Sequence, residues 1–323
     1  NGSAGVIKNG FSSITIGSST AGDMNVGTLT YYDPLTLKTA GNIFVDSSTS
    51  VTGASGQTAG LTLWSDADNN ENGRIQIGNS VSLSTNGGNI VMGGGTNPAS
   101  DDAVSDPGGS SAQGILVAAG ASINAAGGNI SMRGRGNPSW QSQGISLSGT
   151  LQTSGTGTID LAGTATDYDG THNGWGIYLY DATIKSDSGA ITLLGTGRGT
   201  KYGIHAEASQ IKIQSSSGAI SMTGSGGATG INMTVASGGA LLIGKGALGS
   251  SSSALSLMAD SLNIASTASI ESTGALTIKP YTATTTIGIG GETGTLSLPQ
   301  SYFWNGSSGV IKDGFSSITL GRS

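Results

Sequence analysis

Five stretches of this chain can be laid over one another. GILVAAGASINAAGGNISMRGRG begins at Gly114, GISLSGTLQTSGTGTIDLAGTA at Gly144, GIYLYDATIKSDSGAITLLGTG at Gly176, GIHAEASQIKIQSSSGAISMTGSG at Gly203 and GINMTVASGGALLIGKG at Gly230. Their starts lie 30, 32, 27 and 27 residues apart. Self-similarity at such a period marks a solenoid. Within each unit apolar and polar residues alternate: Ile145 and Leu147 flank Ser146, Ile159 and Leu161 flank Asp160, Ile191 and Leu193 flank Thr192, and Ile220 and Met222 flank Ser221. A period of two is that of a half-buried strand. A third apolar contact is expected at Ile123, Leu151, Ile184 and Ile211. Gly-rich corners such as Gly127-Gly128 and Ser217-Gly218 separate the strands, where close backbone approach or a positive φ suits glycine.

These features predict an all-β fold, a right-handed parallel β-helix with about three short strands per rung of roughly 27–32 residues. Composition agrees. Apolar residues make up 35% of the chain and few are aromatic, which suits a narrow prism filled by medium-sized aliphatics better than a round core. Length varies at one corner, after the I-x-M/L-x-G strand: GRGNPSWQSQ before Gly144, ATDYDGTHNGW before Gly176, but only RGTKY before Gly203. Insertions at one corner gather on one face, often the interacting one.

A longer repeat contains the short one. NGSAGVIKNGFSSITIG at residues 1–17 returns as NGSSGVIKDGFSSITLG at residues 305–321, with changes only at Ala4/Ser308, Asn9/Asp313 and Ile16/Leu320. The expected organisation is a single solenoid over 1–323: one 304-residue long repeat (1–304) and the start of the next copy (305–323). No signal peptide opens the chain, so it reads as a piece cut from a tandem array in a mature protein. One long repeat should advance the axis by about 50 Å, at ~4.8 Å per rung.

Several classes are disfavoured. There is no cysteine, hence no disulfide and no thiolate metal site. No apolar run reaches the ~18 residues of a transmembrane helix. The net charge is −6 and the 13 basic residues are scattered, which does not suit nucleic acid.

IKPYTATTTIGIGGETGTLSLPQSYFWNGSSGVIKDGFSSITLG, 278–321, resembles the repeat junction of large bacterial filamentous-haemagglutinin-like adhesins. LTLWSDADNNENGRIQIG at 61–78 and GGNIVMGGG at 87–95 resemble rungs of that family. The resemblance spans essentially the whole chain. It implies a surface or secreted exoprotein of the two-partner or autotransporter type, whose repeats serve as stalk or adhesive surface. No catalytic residue carries over.

Candidate sites are few. Asp66, Asp68 and Asn70 alternate as in the D-x-D-x-N of a calcium loop, but Glu71 stands where the turn glycine belongs, and a solvated corner is the simpler reading. Asp101, Asp102 and Asp106, with Asp167 and Asp169, are the carboxylates a polysaccharide-cleaving β-helix would need, yet they fall on loop tips of different rungs. His172 and His205 have no ligand pattern around them. Trp140, Tyr168, Trp175, Tyr178, Tyr180 and Tyr202 crowd the variable corner of three successive rungs, with Tyr178 and Tyr180 alternating with inward Ile177 and Leu179. Such aromatics stack on sugars or pack loops. Tyr302, Phe303 and Trp304 are expected to plug the junction between long repeats. Asn-x-Ser/Thr triplets are expected by chance in so Ser/Thr-rich a chain. An ice-binding face would require T-x-T on every rung, whereas Thr282, Thr284, Thr285 and Thr286 cluster at one.

The expected function is therefore a structural and adhesive repeat of an extracellular bacterial filament or surface adhesin, stacked end to end, without catalysis or cofactor. A polysaccharide-binding or polysaccharide-degrading β-helix is the alternative. The expected partners are further copies of the same repeat, other filaments, and glycans on host or neighbouring cells.

Overall fold

The computed structural model describes residues 7–106, 112–137, 142–166, 174–235, 239–244, 251–303 and 309–322. The chain visits three parallel sheets in turn, laying one strand in each per rung. The first sheet runs through eleven successive rungs from Ile14–Gly17 to Ser317–Leu320, with the short strand Ala103–Val104 paired beside it. The second and third hold nine strands each, from Met24–Val26 to Leu262–Ile264 and from Leu29–Tyr31 to Ala268–Ile270. Neighbours within a sheet always come from successive rungs. This is a parallel β-helix.

The alternation drives the stacking, because no rung can bury its own inner face. In the first sheet Ile130, Ile159, Ile191 and Ile220 stand in one column and Met132, Leu161, Leu193 and Met222 in the next. In the second sheet Ile115, Ile145, Ile177, Ile204 and Ile231 form a column beside Val117, Leu147, Leu179, Ala206 and Met233. All of these side chains are buried, as the alternation predicts.

The third sheet corrects one expectation. Ile123, Leu151 and Ile184 do align, but the next member is Ile213 and not Ile211. Between the second and third sheets this rung carries two residues more than the one before. A two-residue shift keeps the inward phase, so both isoleucines are buried and alternation alone cannot choose between them. Ile211 instead opens a new column with Leu241 and Ala268. Rung length is also wider than 27–32. The steps from Ile14 to Leu35 and from Leu255 to Leu276 are much shorter, while those from Ile90 to Ile130, from Ile220 to Leu255 and from Leu276 to Ile318 are longer. The Ile90 to Ile130 step takes its extra length at the corner between first and second sheets, as expected; the Leu276 to Ile318 step contains the junction described below.

Glycine makes that corner possible. Gly163, Gly195 and Gly224 align in the first sheet where it turns into the second. A Cβ at Gly195 would lie 2.1 Å from the Gly203 carbonyl oxygen, so no other residue fits without moving backbone.

The junction ahead of the second FSSIT copy is irregular. The Asp260 carboxylate takes the Thr282 N–H (2.7 Å) and the hydroxyls of Thr282 (2.6 Å) and Thr285 (2.7 Å), which fixes the turn leaving the last regular rung. A two-stranded parallel sheet follows, Ile287–Ile289 with Leu296–Leu298, and then the short helix Gln300–Phe303. The second sheet ends at Leu262–Ile264, where Tyr302 stands in for the missing strand. Its hydroxyl accepts from the Ile264 N–H at 2.8 Å and donates to the Leu262 carbonyl at 3.4 Å, the two groups that face the next rung. Tyr302 is buried and Phe303 packs partly against the core, as the junction reading anticipated; Trp304 lies outside the described residues. Burial raises the Tyr302 pKa above its usual value, which keeps the phenol protonated and able to make both bonds. The chain then rejoins the prism, with Ile311 bridged to Ile270 and Ser317–Leu320 paired to Ala275–Lys279.

Candidate ligand-binding face

The outer residues of the second sheet alternate with its core columns, and register stacks them across rungs. Ser146, Tyr178, His205, Asn232 and Asn263 form one outward column. Gln143 stands opposite Trp175, and Tyr180 opposite Glu207. Together with Lys201, Tyr202 and Thr234, all of these except Ser146 and Tyr180 line an open trough of about 540 Å³ along the solenoid axis.

The trough is internally organised. The Tyr178 hydroxyl donates to Glu207 Oε1. Glu207 Oε2 lies 3.1 Å from His205 Nε2, so that nitrogen carries a proton. His205 Nδ1 lies 3.0 Å from Asn232 Nδ2 and 3.1 Å from the Asn232 carbonyl oxygen. The neutral ring can accept from the amide and the protonated ring can donate to the carbonyl, so both states find partners. Asn263 Nδ2 donates to Asn232 Oδ1 at 2.6 Å, which fixes the orientation of the Asn232 amide. Partial burial works against the Glu207 carboxylate, but the Tyr178 and His205 hydrogen bonds and Lys201 outweigh it and hold its pKa below the usual range. Burial, and then the bond to Glu207, push the Tyr178 phenol far up.

The rings contact one another. The Trp175 centroid lies 5.3 Å from that of Tyr178 and 6.1 Å from that of His205, while Tyr202 and His205 are 4.7 Å apart. Lys201 Nζ sits 4.8 Å over the indole of Trp175. Among the described residues the buried side-chain atoms without a hydrogen-bond partner include two in this trough, Trp175 Nε1 and Gln143 Oε1; Arg74 Nη1, Asp106 Oδ1 and Asn137 Nδ2 are the others. Trp175 and Gln143 are only 8% and 7% exposed.

Of the six aromatics singled out in the sequence, Trp175, Tyr178 and Tyr202 line this trough, and Tyr180 stands exposed at its margin, 6.2 Å from Tyr178. Trp140 and Tyr168 lie outside the described residues, as do Asp167, Asp169 and His172. Sequence reasoning passed over Gln143, Lys201, Glu207, Asn232, Thr234 and Asn263, and found no ligand pattern around His205. Their signal was positional: each sits on an outward strand position or corner of the aligned rungs.

The acidic loops are arranged differently. Asp66 is buried, and its carboxylate accepts the Asn72 N–H of its own loop at 3.2 Å; desolvation raises its pKa. Asp68 Oδ2 accepts the Asn70 amide at 2.7 Å. Asp101 Oδ2 takes the N–H groups of Thr96 and Asn97, at 3.0 and 2.9 Å. Asp102 is pushed up by burial, tempered by Arg135 and Arg133. Asp106 Oδ2 accepts from Asn42 Nδ2 at 3.1 Å. These carboxylates serve their own loops and neighbours. Among the described residues, no three His, Cys, Asp or Glu side chains gather as a metal site would require.

The described residues thus define a parallel β-helix with an ordered polar–aromatic trough along its second sheet. No family model matches the chain, and neither a curated protein nor a solved structure matches it. Among the described residues no helix is long and apolar enough to cross a membrane.

Proposed function

We propose that the chain is a structural and adhesive repeat of an extracellular bacterial filament, with copies joined head to tail on one solenoid axis and no catalysis. The observation that carries this reading is the pairing of the two FSSIT strands. Ile14 and Ile16 continue the first-sheet core columns into Leu35 and Leu37. Ile318 and Leu320 receive the same columns from Leu276 and Ile278. A further copy placed on Ser317–Leu320 would therefore continue both columns without a change of phase. The bacterial surface setting comes from the likeness of the junction to filamentous-haemagglutinin-like adhesins.

The absence of catalysis rests on the carboxylates. Glycoside cleavage ordinarily uses a pair of them about 5–10 Å apart across the bond. Among the residues lining the trough, Glu207 is the single carboxylate, and Tyr178 and His205 occupy both its oxygens. No lyase or hydrolase activity on acidic polysaccharides is expected, with or without calcium. Turnover abolished by changing Asp101, Asp102 or Asp106 would sink this part.

The decisive experiment joins two 304-residue copies in one chain and measures its maximum dimension by small-angle scattering. Growth by about 48 Å, ten rung spacings, is expected. Two bodies tumbling independently would overturn the filament reading.

A further inference from the structure

We infer that the trough on the second sheet binds an uncharged glycan, laid along the solenoid axis between Gln143 and Asn263. This deepens the adhesive half of the function proposed above and rests on that half alone.

Two observations carry it. The first is the pair of unsatisfied atoms. A buried donor, Trp175 Nε1, and a buried acceptor, Gln143 Oε1, stand on facing residues of adjacent rungs without a partner among the described residues. Burying a polar atom unpaired costs stability, and native proteins keep few such atoms without a reason. A sugar hydroxyl can satisfy either one, since it both donates and accepts. Lys201, a flexible side chain lying over the indole, is what must swing aside to admit it.

The second is the chemistry of the lining. The amides of Asn232 and Asn263 and the hydroxyls of Tyr202 and Thr234 suit vicinal hydroxyls, and the aromatic rings suit the apolar faces of pyranoses. The charges decide the sugar type. Lys201 is set against a Glu207 held in its ionised form, so the trough has no surplus cation for an acidic sugar. A strongly apolar ligand would strand the amides. The rungs repeat every ~4.8 Å along the axis, so the lining is a ladder that meets an extended chain at several points, not a pit for one small molecule.

The test titrates the single repeat with cellohexaose, maltohexaose, mannohexaose and xylohexaose, and with hexagalacturonate as the acidic contrast, by calorimetry and tryptophan fluorescence. At least one uncharged hexasaccharide is expected to bind more tightly than the acidic one. Gln143→Leu removes the orphan acceptor while keeping shape. It is expected to leave the melting temperature unchanged or raised, yet to weaken binding about tenfold. A residue with a merely structural role would not show that opposition. Asn263→Ala should weaken binding similarly, and Tyr281→Ala, on an exposed aromatic outside the trough, should not. Three results would each overturn the inference: no uncharged probe binding at millimolar concentration, preference for hexagalacturonate, or affinity indifferent to both Gln143→Leu and Asn263→Ala. A two-copy chain that fails to lengthen touches the filament reading only, because binding is measured on one repeat.

Discussion

Two parts of this molecule share almost the same sequence and differ in what surrounds them. In the later copy Val310 and Ile311 are buried against the preceding rung, and Phe315 packs partly on the core. In the earlier copy Ile7 is 47% exposed and Phe11 is 54% exposed, against 6% for Ile311. The strands themselves show the mirror image: Ile16 lacks cover on one side and Ile318 on the other, and each is 46% exposed. Burial in a solenoid therefore belongs to the neighbouring rung and not to the residue. The same side chain is core or surface according to what is stacked on it.

The comparison can be tested with one substitution in two places. Ile159→Asp should cost about 3–5 kcal/mol in denaturant unfolding, because it strands a charge inside the prism. Ile16→Asp, at an uncovered column end, should cost under about 1 kcal/mol. Equal costs would mean that the columns do not set stability. Somewhat smaller is the contrast between the copies. Ile311→Ala should cost about 2 kcal/mol and Ile7→Ala only a few tenths. In a two-copy chain, Leu320→Asp should become as damaging as Ile159→Asp, since a rung then covers it; if its cost stays low, the second copy has not stacked.

Tyr302→Phe comes next. It removes a hydroxyl that answers two ladder groups at once, so about 1–3 kcal/mol is expected. Hydrogen exchange should quicken at the Ile264 amide and not at Ile231, whose amide bonds the Ser261 carbonyl. The smallest effect is in pH. Desolvation alone would raise the Asp260 pKa, but its bonds to Thr282 and Thr285 bring it below the ordinary value of 3.8. A depressed carboxylate stabilises the fold fully above its unfolded pKa, and that contribution is lost as pH falls through the folded value. Acid titration of the wild type should thus show a stability loss below about pH 4 that Asp260→Asn lacks. Identical acid profiles would remove Asp260 from the account of the junction.

The fold was legible because its physics is local and periodic. Alternation fixes which side chains point inward, and Ile145, Leu147, Ile159 and Leu161 are where it puts them. Register was legible only to within two residues, because Ile211 and Ile213 share the inward phase and either could continue the column of Ile184. The site was harder for a different reason. Tyr178, His205, Asn232 and Asn263 are neighbours along the axis, yet each pair is separated by a whole rung of sequence. The aromatics drew notice by their scarcity. His205 and Glu207 pair with each other two residues apart, but their further partners, Asn232 and Tyr178, come from neighbouring rungs, so no local pattern marks the cluster. Tyr302 could be read as a plug, but its role as a substitute for a strand needs the unpaired Leu262 and Ile264 groups in view.

The parallel pairing that runs from Ile14–Gly17 to Ser317–Leu320 also has a mechanical side. Hydrogen bonds between rungs lie along the solenoid axis, and the two FSSIT strands sit at opposite ends of it. Tension on the ends loads those bonds along their length, one rung at a time, and never shears a whole sheet at once. A rung pulled from the stack, such as that from Ile191 to Ile220, yields on the order of 100 Å of extended chain in place of the ~4.8 Å it occupied. Under load the stack lengthens stepwise and dissipates work at every step, so a force applied between its ends is absorbed rung by rung and not in one rupture.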